Sequence, residues 1–163
     1  MYNAVMKNKK SIIAKTFTPK YDEEEDRLRV VVNYEDVYNR VDFMITRSFM
    51  LNLAPTADDF ILQYYALEQK RVDAAELILS IDNKEDKTML QTNDIDLELF
   101  RTDEELLIKV NFSYQKDSNK TAVTFFSKNV TAEILLDGKM LQQIFTLIKS
   151  AIPYYKWGIS HHF

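Results

Sequence analysis

Apolar and polar residues alternate along several stretches of this chain, as they do in β-strands that bury one face. In the clearest stretch, apolar side chains occupy every second position from Leu106 to Tyr114, and mostly polar residues stand between them. Strands are predicted at 10–17, 27–34, 41–46, 49–53, 94–100, 105–115, 121–127 and 130–136. The polar segment 116–120 predicts a short turn, and short connections favour antiparallel pairing.

Two other segments have apolar residues at the three- and four-residue spacing of an amphipathic helix. One follows Asp137, a suitable N-cap, and ends before Pro153. The other is predicted to begin at Pro55, because proline fits the first helical turn, and its apolar face includes Phe60 and Ile61. The same spacing extends through 72–79, either as one helix or after one break.

Each helical segment closes a similar series of strands, which predicts an α+β fold of antiparallel sheets with two main helices. The expected organisation is a single domain, 1–163, with two pseudo-repeats and an aromatic C-terminal tail at 153–163. The pseudo-repeats would cover 10–80 and 94–152, each with four strands followed by a helix.

The two halves align at an offset of 83 residues. At this offset, Leu51 and Leu53 fall on Ile134 and Leu136, the apolar positions that precede the second helix. Few residues are identical between the halves, so the prediction of a tandem repeat depends on the hydrophobic pattern alone.

This order of four strands and a helix is similar to that of two folds that bind single-stranded nucleic acids, the PUR repeat and the Whirly domain. The segment 42–66, which ends in the sequence DDFILQYYA, resembles the last strand and the helix of a PUR repeat. PUR repeats are rich in glycine around their strands, whereas this chain has only Gly138 and Gly158. The resemblance is an analogy of topology, and it implies binding of single-stranded DNA or RNA.

Composition excludes several classes of chemistry. The chain contains no cysteine, which rules out disulfides, thiolate nucleophiles and thiolate metal sites. With two glycines, it lacks a glycine-rich loop for nucleotide phosphates. Its two histidines, His161 and His162, are adjacent near the C-terminus, where a triad or a zinc site is hard to assemble. The expectation is therefore a protein that is not an enzyme and has no cofactor and no metal.

The chain begins without the apolar core of a signal peptide, and no apolar run is long enough to cross a membrane. A cytoplasmic protein without a membrane partner is expected.

Charge is segregated along the chain although the net charge is only −4. Residues 1–20 carry five lysines and no acid, 22–26 are all acidic, and 108–163 carry seven lysines against three acids. Blocks of charge usually mark solvated loops and helix faces. The alternative is a basic face formed by the N-terminal arm and the second group of strands, which could follow a phosphate backbone.

Three arginines are candidates for contacting a ligand. Arg27 and Arg29 alternate with Leu28, which predicts that they lie on the face of the strand opposite the core, with Arg47 nearby at the end of the next hairpin. Arginines on an open sheet face can bind phosphates or carboxylates bidentately, although ordinary surface ion pairs use the same pattern. Lys109 is a further candidate on the second group of strands.

The aromatic tail contains the remaining candidates: Tyr154, Tyr155, Lys156 and Trp157. These rings could stack on bases or dock on a protein partner, or they could fold back and close the core. Closing the core is the favoured interpretation, because large apolar side chains seldom stay exposed without a function.

One acidic pattern is a minor candidate for a metal site. Asp94, Asp96 and Glu98 would share one face of a predicted strand, which superficially suits Mg²⁺ or Ca²⁺. A solvated face explains them equally well.

The combination of an acidic chain, an aromatic tail and no catalytic motif favours a small binding or adaptor protein. We expect it to recognise a protein partner or to form a homo-oligomer, through its sheet surface or its edges. The alternative is single-stranded DNA or RNA binding through Arg27, Arg29, Lys109 and the tail at 154–157.

Overall fold

A computed structural model describes residues 9–66, 96–99, 101 and 103–160. It confirms the predicted α+β class, with two four-stranded, largely antiparallel sheets and helices. The elements are β1 (Lys10–Ile13), β2 (Phe17–Asp22), β3 (Arg27–Val32), β4 (Val41–Thr46), α1 (Arg47–Tyr65), β5 (Glu104–Leu106), β6 (Lys109–Gln115), β7 (Lys120–Phe126), β8 (Val130–Asp137), α2 (Gly138–Ser150) and α3 (Tyr154–Trp157).

The two sheets are assembled in the same way. The first sheet has the order β2-β3-β4-β5 and the second has the order β1-β8-β7-β6. In each, three strands that are consecutive in the chain pair antiparallel, as short connections require. The fourth strand comes from a distant part of the sequence and pairs in parallel: β5 with β4, and β1 with β8.

At two corners the chain crosses from one sheet to the other. At the first, the Ala14 amide donates to the Glu133 carbonyl of the second sheet, while the Thr16 carbonyl accepts from the Asn33 amide of the first. At the second, Leu107 donates to a carbonyl of β4 and Ile108 donates to one of β7. The long strands predicted at 10–17 and 105–115 are therefore each divided in two at a corner. The strand β2 was not predicted as a separate strand.

The main error of the predictions lies at the start of the first helix. The strand predicted at 49–53 is wrong, and so is a helix start at Pro55, because α1 begins at Arg47 and contains Pro55. Thr46 is its N-cap, with a side-chain oxygen that accepts from the Phe49 amide at 3.1 Å. The buried positions of α1 follow helical spacing: Met50, Leu53, Ala54, Ala57 and Ile61.

The repeat alignment at an offset of 83 is also wrong, because it places helical Leu51 and Leu53 on strand residues of β8. The two junctions between a strand and its helix, at Thr46 and Asp137, lie 91 residues apart. Both residues are N-caps with a side-chain oxygen on a backbone amide. The tandem repeat stays a prediction.

A further predicted strand, 94–100, is wrong for the residues that the structure describes there. Asp96 is in irregular chain and 97–99 form a turn. The possible continuation of the first helix through 72–79 lies outside the described residues, as do His161 and His162.

The second helix begins and ends close to its predicted limits. Asp137 accepts from the Met140 amide at 2.8 Å, which confirms it as the N-cap of α2. Gly138 is required at the start of α2, because a Cβ there would overlap the aromatic ring of Tyr65 at the end of α1. The Tyr65 hydroxyl group also shares a hydrogen bond of 2.6 Å with Thr121 of β7.

The apolar faces of both sheets, α1 and α2 meet in one core. Phe17 and Phe43 of the first sheet lie near Phe125 of the second, with ring centroids 5.7 and 6.1 Å from that of Phe125. Among the described residues, no helix is long and apolar enough to cross a membrane.

Candidate binding surface on the second sheet

The outward faces of the two sheets differ in burial. In the first sheet, much of the face opposite the core is buried, including Val31, Asp42 and Met44. In the second sheet, none of the outward residues of β6, β7 and β8 is buried. We call this outward side of the second sheet the open face.

The buried outward face of the first sheet contains an ionic network around Asp42. The Asp42 carboxylate has no exposed surface and accepts from Arg29 at 2.5 and 3.1 Å and from Arg40 at 2.7 and 3.0 Å. Arg40 also donates to the carbonyls of Leu97 and Leu99, so this network holds the turn at 97–99 against the sheet. The expectation that Arg29 lies on an exposed sheet face is therefore wrong. Its side chain is 4% exposed, and its guanidinium group is paired with Asp42.

The outward residues of the second sheet form four cross-strand rows. Their registers run from Lys109–Phe126–Thr131 at one end to Gln115–Lys120–Asp137 at the other. The two middle rows contain Asn111, Thr124 and Glu133, and Ser113, Ala122 and Leu135. Such a face presents hydrogen-bonding groups to a flat or extended ligand, with Leu135 as an exposed apolar side chain among them.

At one end of the open face, an aromatic ring lies between two lysines. The ammonium nitrogen of Lys109 is 5.4 Å from the centroid of the Phe126 ring, and that of Lys9 is 5.7 Å from it. Both lysines are exposed, and Phe126 is half-buried. Lys9 belongs to the N-terminal arm and Lys109 to the second sheet, so two basic segments that are distant in sequence converge on one ring.

This arrangement combines the two groups that bind a single strand of nucleic acid. The exposed part of the half-buried Phe126 ring can stack on a base, and each ammonium group can approach a phosphate. Lys128, in the turn after β7, is a further exposed lysine at the same end of the face. Two carboxylates lie near this end: Glu133 is in the next row, and Glu105 accepts from Ser127 and Asn129 in the turn after β7.

The aromatic tail mostly closes the core instead of forming a platform. Trp157 is buried, and Tyr154 is half-buried and donates from its hydroxyl group to the Lys149 carbonyl at 3.2 Å. Tyr155 differs, because it is 98% exposed. The prediction that the tail folds back is therefore confirmed for Trp157 and Tyr154 and wrong for Tyr155.

Trp157 is held by residues from two distant segments. Its indole nitrogen donates to Asp26 at 2.7 Å, and its carbonyl accepts from Arg47 at 2.8 Å. Hydrogen bonds from Tyr21 and then Trp157 lower the pKa of Asp26 below its usual value. The Lys156 ammonium group lies 5.3 Å from the centroid of the Tyr21 ring, and a hydrogen bond with the Tyr21 side chain raises the pKa of Lys156. We call the group Tyr21, Asp26, Arg47, Lys156 and Trp157 the tail latch.

The predicted contact residues therefore do not form one site. Arg47, Lys156 and Trp157 meet in the tail latch, and Tyr154 packs beside them on the core. Arg27 is half-exposed on β3, 3.9 Å from Glu25. The one predicted residue on the open face is Lys109.

Sequence reasoning missed Phe126, and it included Lys9 only in the alternative of a basic face formed by the N-terminal arm and the second group of strands. One signal was present: Phe125 and Phe126 are adjacent on a strand, so their side chains must point to opposite faces, and only one can enter the core. The approach of Lys9 could not be deduced, because it depends on the parallel pairing of β1 with β8.

Carboxylates in the described residues do not form a convincing metal site. Asp22, Glu25 and Glu104 have oxygens within 4.8 Å of one another, but Glu104 already pairs with Arg101 and the group is partly exposed. Asp94 lies outside the described residues, and Glu98 binds Arg29 and Arg101 from a turn, so the predicted acidic face of a strand is wrong there.

Comparison with protein-family models, with curated proteins and with solved structures finds no match for this chain.

Proposed function

We propose that this protein is a non-enzymatic binding protein that holds a single strand of DNA or RNA on the open face of its second sheet. The observation that carries the proposal is the Phe126 ring between the ammonium groups of Lys9 and Lys109. The net charge of −4 does not oppose it, because the local potential at the contact decides binding.

The geometry favours a single strand over a duplex. The bases of a duplex are stacked on each other, whereas those of a single strand are available to a ring such as Phe126. Asn111 and Thr124, in the row next to the ring, offer hydrogen bonds to an extended chain along the sheet.

Fluorescence anisotropy with labelled single-stranded oligonucleotides tests the proposal. Binding should appear at low salt and weaken as salt rises, because lysine contacts release counterions from the phosphates. Phe126→Leu keeps an apolar side chain but removes the ring, and should weaken binding by about 1–3 kcal/mol, the usual value of one stacked base. Unchanged affinity in this variant would contradict the proposed site.

A matched pair of lysine variants locates the site. Lys109→Gln should weaken binding and lower the slope of affinity against salt by about one ion. Lys156→Gln is the control, because Lys156 also lies over an aromatic ring, that of Tyr21, but in the tail latch. Equal losses in the two variants would indicate nonspecific attraction to lysines.

Protein recognition is the second candidate, and a separate observation favours it. Ile13 is 60% exposed and Leu135 is 49% exposed, and the Ile13 partner in register, Glu133, is two residues from Leu135 on the open face. Exposed aliphatic groups close together commonly mark a protein contact.

A photo-crosslinking residue at position 135 tests this candidate in cells, with the same residue at Tyr155 as the control for exposure alone. Protein recognition predicts a defined protein adduct at position 135 that is absent at 155. A nucleic-acid adduct at position 135 would instead support the first candidate.

A further inference from the structure

The edges of the two sheets are protected to different degrees. The edge strands are β2 and β5 in the first sheet and β1 and β6 in the second. Three of them carry features that discourage pairing with another chain. The strand β5 has three residues, β1 has four and begins with Lys10, and β2 contains Pro19 and Lys20.

The fourth edge, β6, lacks this protection. It has seven residues, Lys109–Gln115, without proline or glycine, and its single charge is at the first position. At ~3.4 Å per residue it presents about 24 Å of backbone. Among the described residues it is paired with β7 alone, and no described residue forms a backbone hydrogen bond with its other side.

An aromatic margin runs beside this edge. On the inward side of β6, Val110, Phe112 and Tyr114 are only half-buried. Tyr64 of α1 stacks on Tyr114 with ring centroids 4.7 Å apart and is itself 40% exposed. A strand added to β6 would therefore cover partly exposed rings as well as satisfy the backbone.

The sequence of β6 is complementary to itself. If two copies pair antiparallel about a two-fold axis at Phe112, Lys109 lies opposite Gln115 and Asn111 opposite Ser113 on the outward side. On the inward side, Val110 lies opposite the partner's Tyr114, and the two copies of Phe112 face each other. No like charges are opposed, and polar and apolar residues stay on separate faces. This is what a symmetric dimer interface requires.

We infer that β6 is a self-association edge, which pairs with β6 of a second copy of this chain to form a continuous eight-stranded sheet. The inference goes beyond the proposed function, since it does not depend on the identity of the ligand. It places two open faces side by side, so that one extended ligand could contact both.

Sedimentation velocity tests the inference across low to high micromolar concentrations. The wild-type chain, 19.2 kDa, should approach twice this mass as concentration rises. In Asn111→Lys with Ser113→Lys, the introduced lysines face each other across the interface, and the dimer should be lost. Both positions are exposed, so the monomer fold is retained, which circular dichroism can check.

A charge-reversed variant is the matched control. Asn111→Lys with Ser113→Glu puts opposite charges face to face in the same register, so this variant should dimerise, more tightly at low salt than at high salt. A monomeric wild type, a dimeric double-lysine variant or a monomeric charge-reversed variant would each overturn the inference.

Oligonucleotide anisotropy and sedimentation on Phe126→Leu keep the two proposals apart, because Phe126 lies on β7 and not on the β6 edge. If Phe126→Leu still dimerises but binds an oligonucleotide more weakly than the wild type does, both proposals are supported. If the wild type dimerises but neither protein binds, the edge is supported and the proposed function fails.

Discussion

Asp42→Asn is expected to cost far more stability than any change at the surface of the same network. The Asp42 carboxylate is wholly buried and accepts four guanidinium hydrogen bonds, two from Arg29 and two from Arg40. Asparagine keeps the shape but removes the charge, so Arg40 loses its carboxylate partner and Arg29 keeps only the exposed Glu98. Breaking a buried ion pair in this way costs about 3–5 kcal/mol. A domain has about 5–15 kcal/mol in total, so the loss should be large but measurable.

Urea denaturation followed by circular dichroism measures this loss, and Glu98→Gln is the comparison. Glu98 also pairs with Arg29, at 3.3 Å, but its side chain is 57% exposed, so its removal should cost about 1 kcal/mol or less. If the two variants lose equal stability, the reasoning is refuted, because Asp42 would then not be the buried centre of the network. If Asp42→Asn has no folded baseline in urea, its loss of stability lies at or above the upper end of the expected range.

Three further predictions concern the packing and the tail latch. Gly138→Ala should destabilise the fold by about 1–3 kcal/mol in urea denaturation, because its methyl group overlaps the Tyr65 ring; an increase in stability, the usual result of this change in a helix, would contradict the contact. The lowered pKa of Asp26 contributes stability that is present above its unfolded value of about 4 and is lost as pH falls through the lower folded value. Asp26→Asn should therefore flatten the decline of stability below about pH 4, and an unchanged decline would exclude this carboxylate as a cause. Trp157→Phe should raise the pKa of Asp26 in a carboxyl NMR titration, and a constant pKa would show that the indole bond is not formed.

Local patterns predicted the strands whose partners are neighbours in sequence. The strand β4 has its predicted limits, 41–46, β8 differs from its prediction by one residue at its end, and β7 lies one residue earlier than predicted at both ends. Alternation and a polar turn suffice for such hairpins, since register follows from the pattern of buried positions.

The same reasoning failed where helical spacing imitates alternation. Leu51 and Leu53 are two residues apart and look like strand positions, yet they belong to α1, where Met50, Leu53 and Ala57 define the buried side. Thr46 was the signal for the true start, because threonine is a good N-cap. Pro55 predicted a later start, because proline also favours the first turn of a helix.

The position and exposure of the candidate residues depend on contacts between separate segments of the chain, and local patterns do not show such contacts. Arg29 stands at an outward position of β3, but Asp42 and the turn at 97–99 bury it. One signal was available: Asp42 stands among the apolar residues of β4, in the sequence VDFMI, and a buried carboxylate needs a cation nearby. Lys9 reaches Phe126 only because β1 joins the second sheet in parallel.

Titration of the ¹⁵N-labelled protein with a single-stranded oligonucleotide at low salt, followed by the amide shifts, tests binding on the open face most directly. The largest changes should occur on β6 and β7 near Lys109 and Phe126, and they should reverse when salt is added. The proposed site is wrong if no shifts occur, or if they centre on Arg27 and the tail at 154–157.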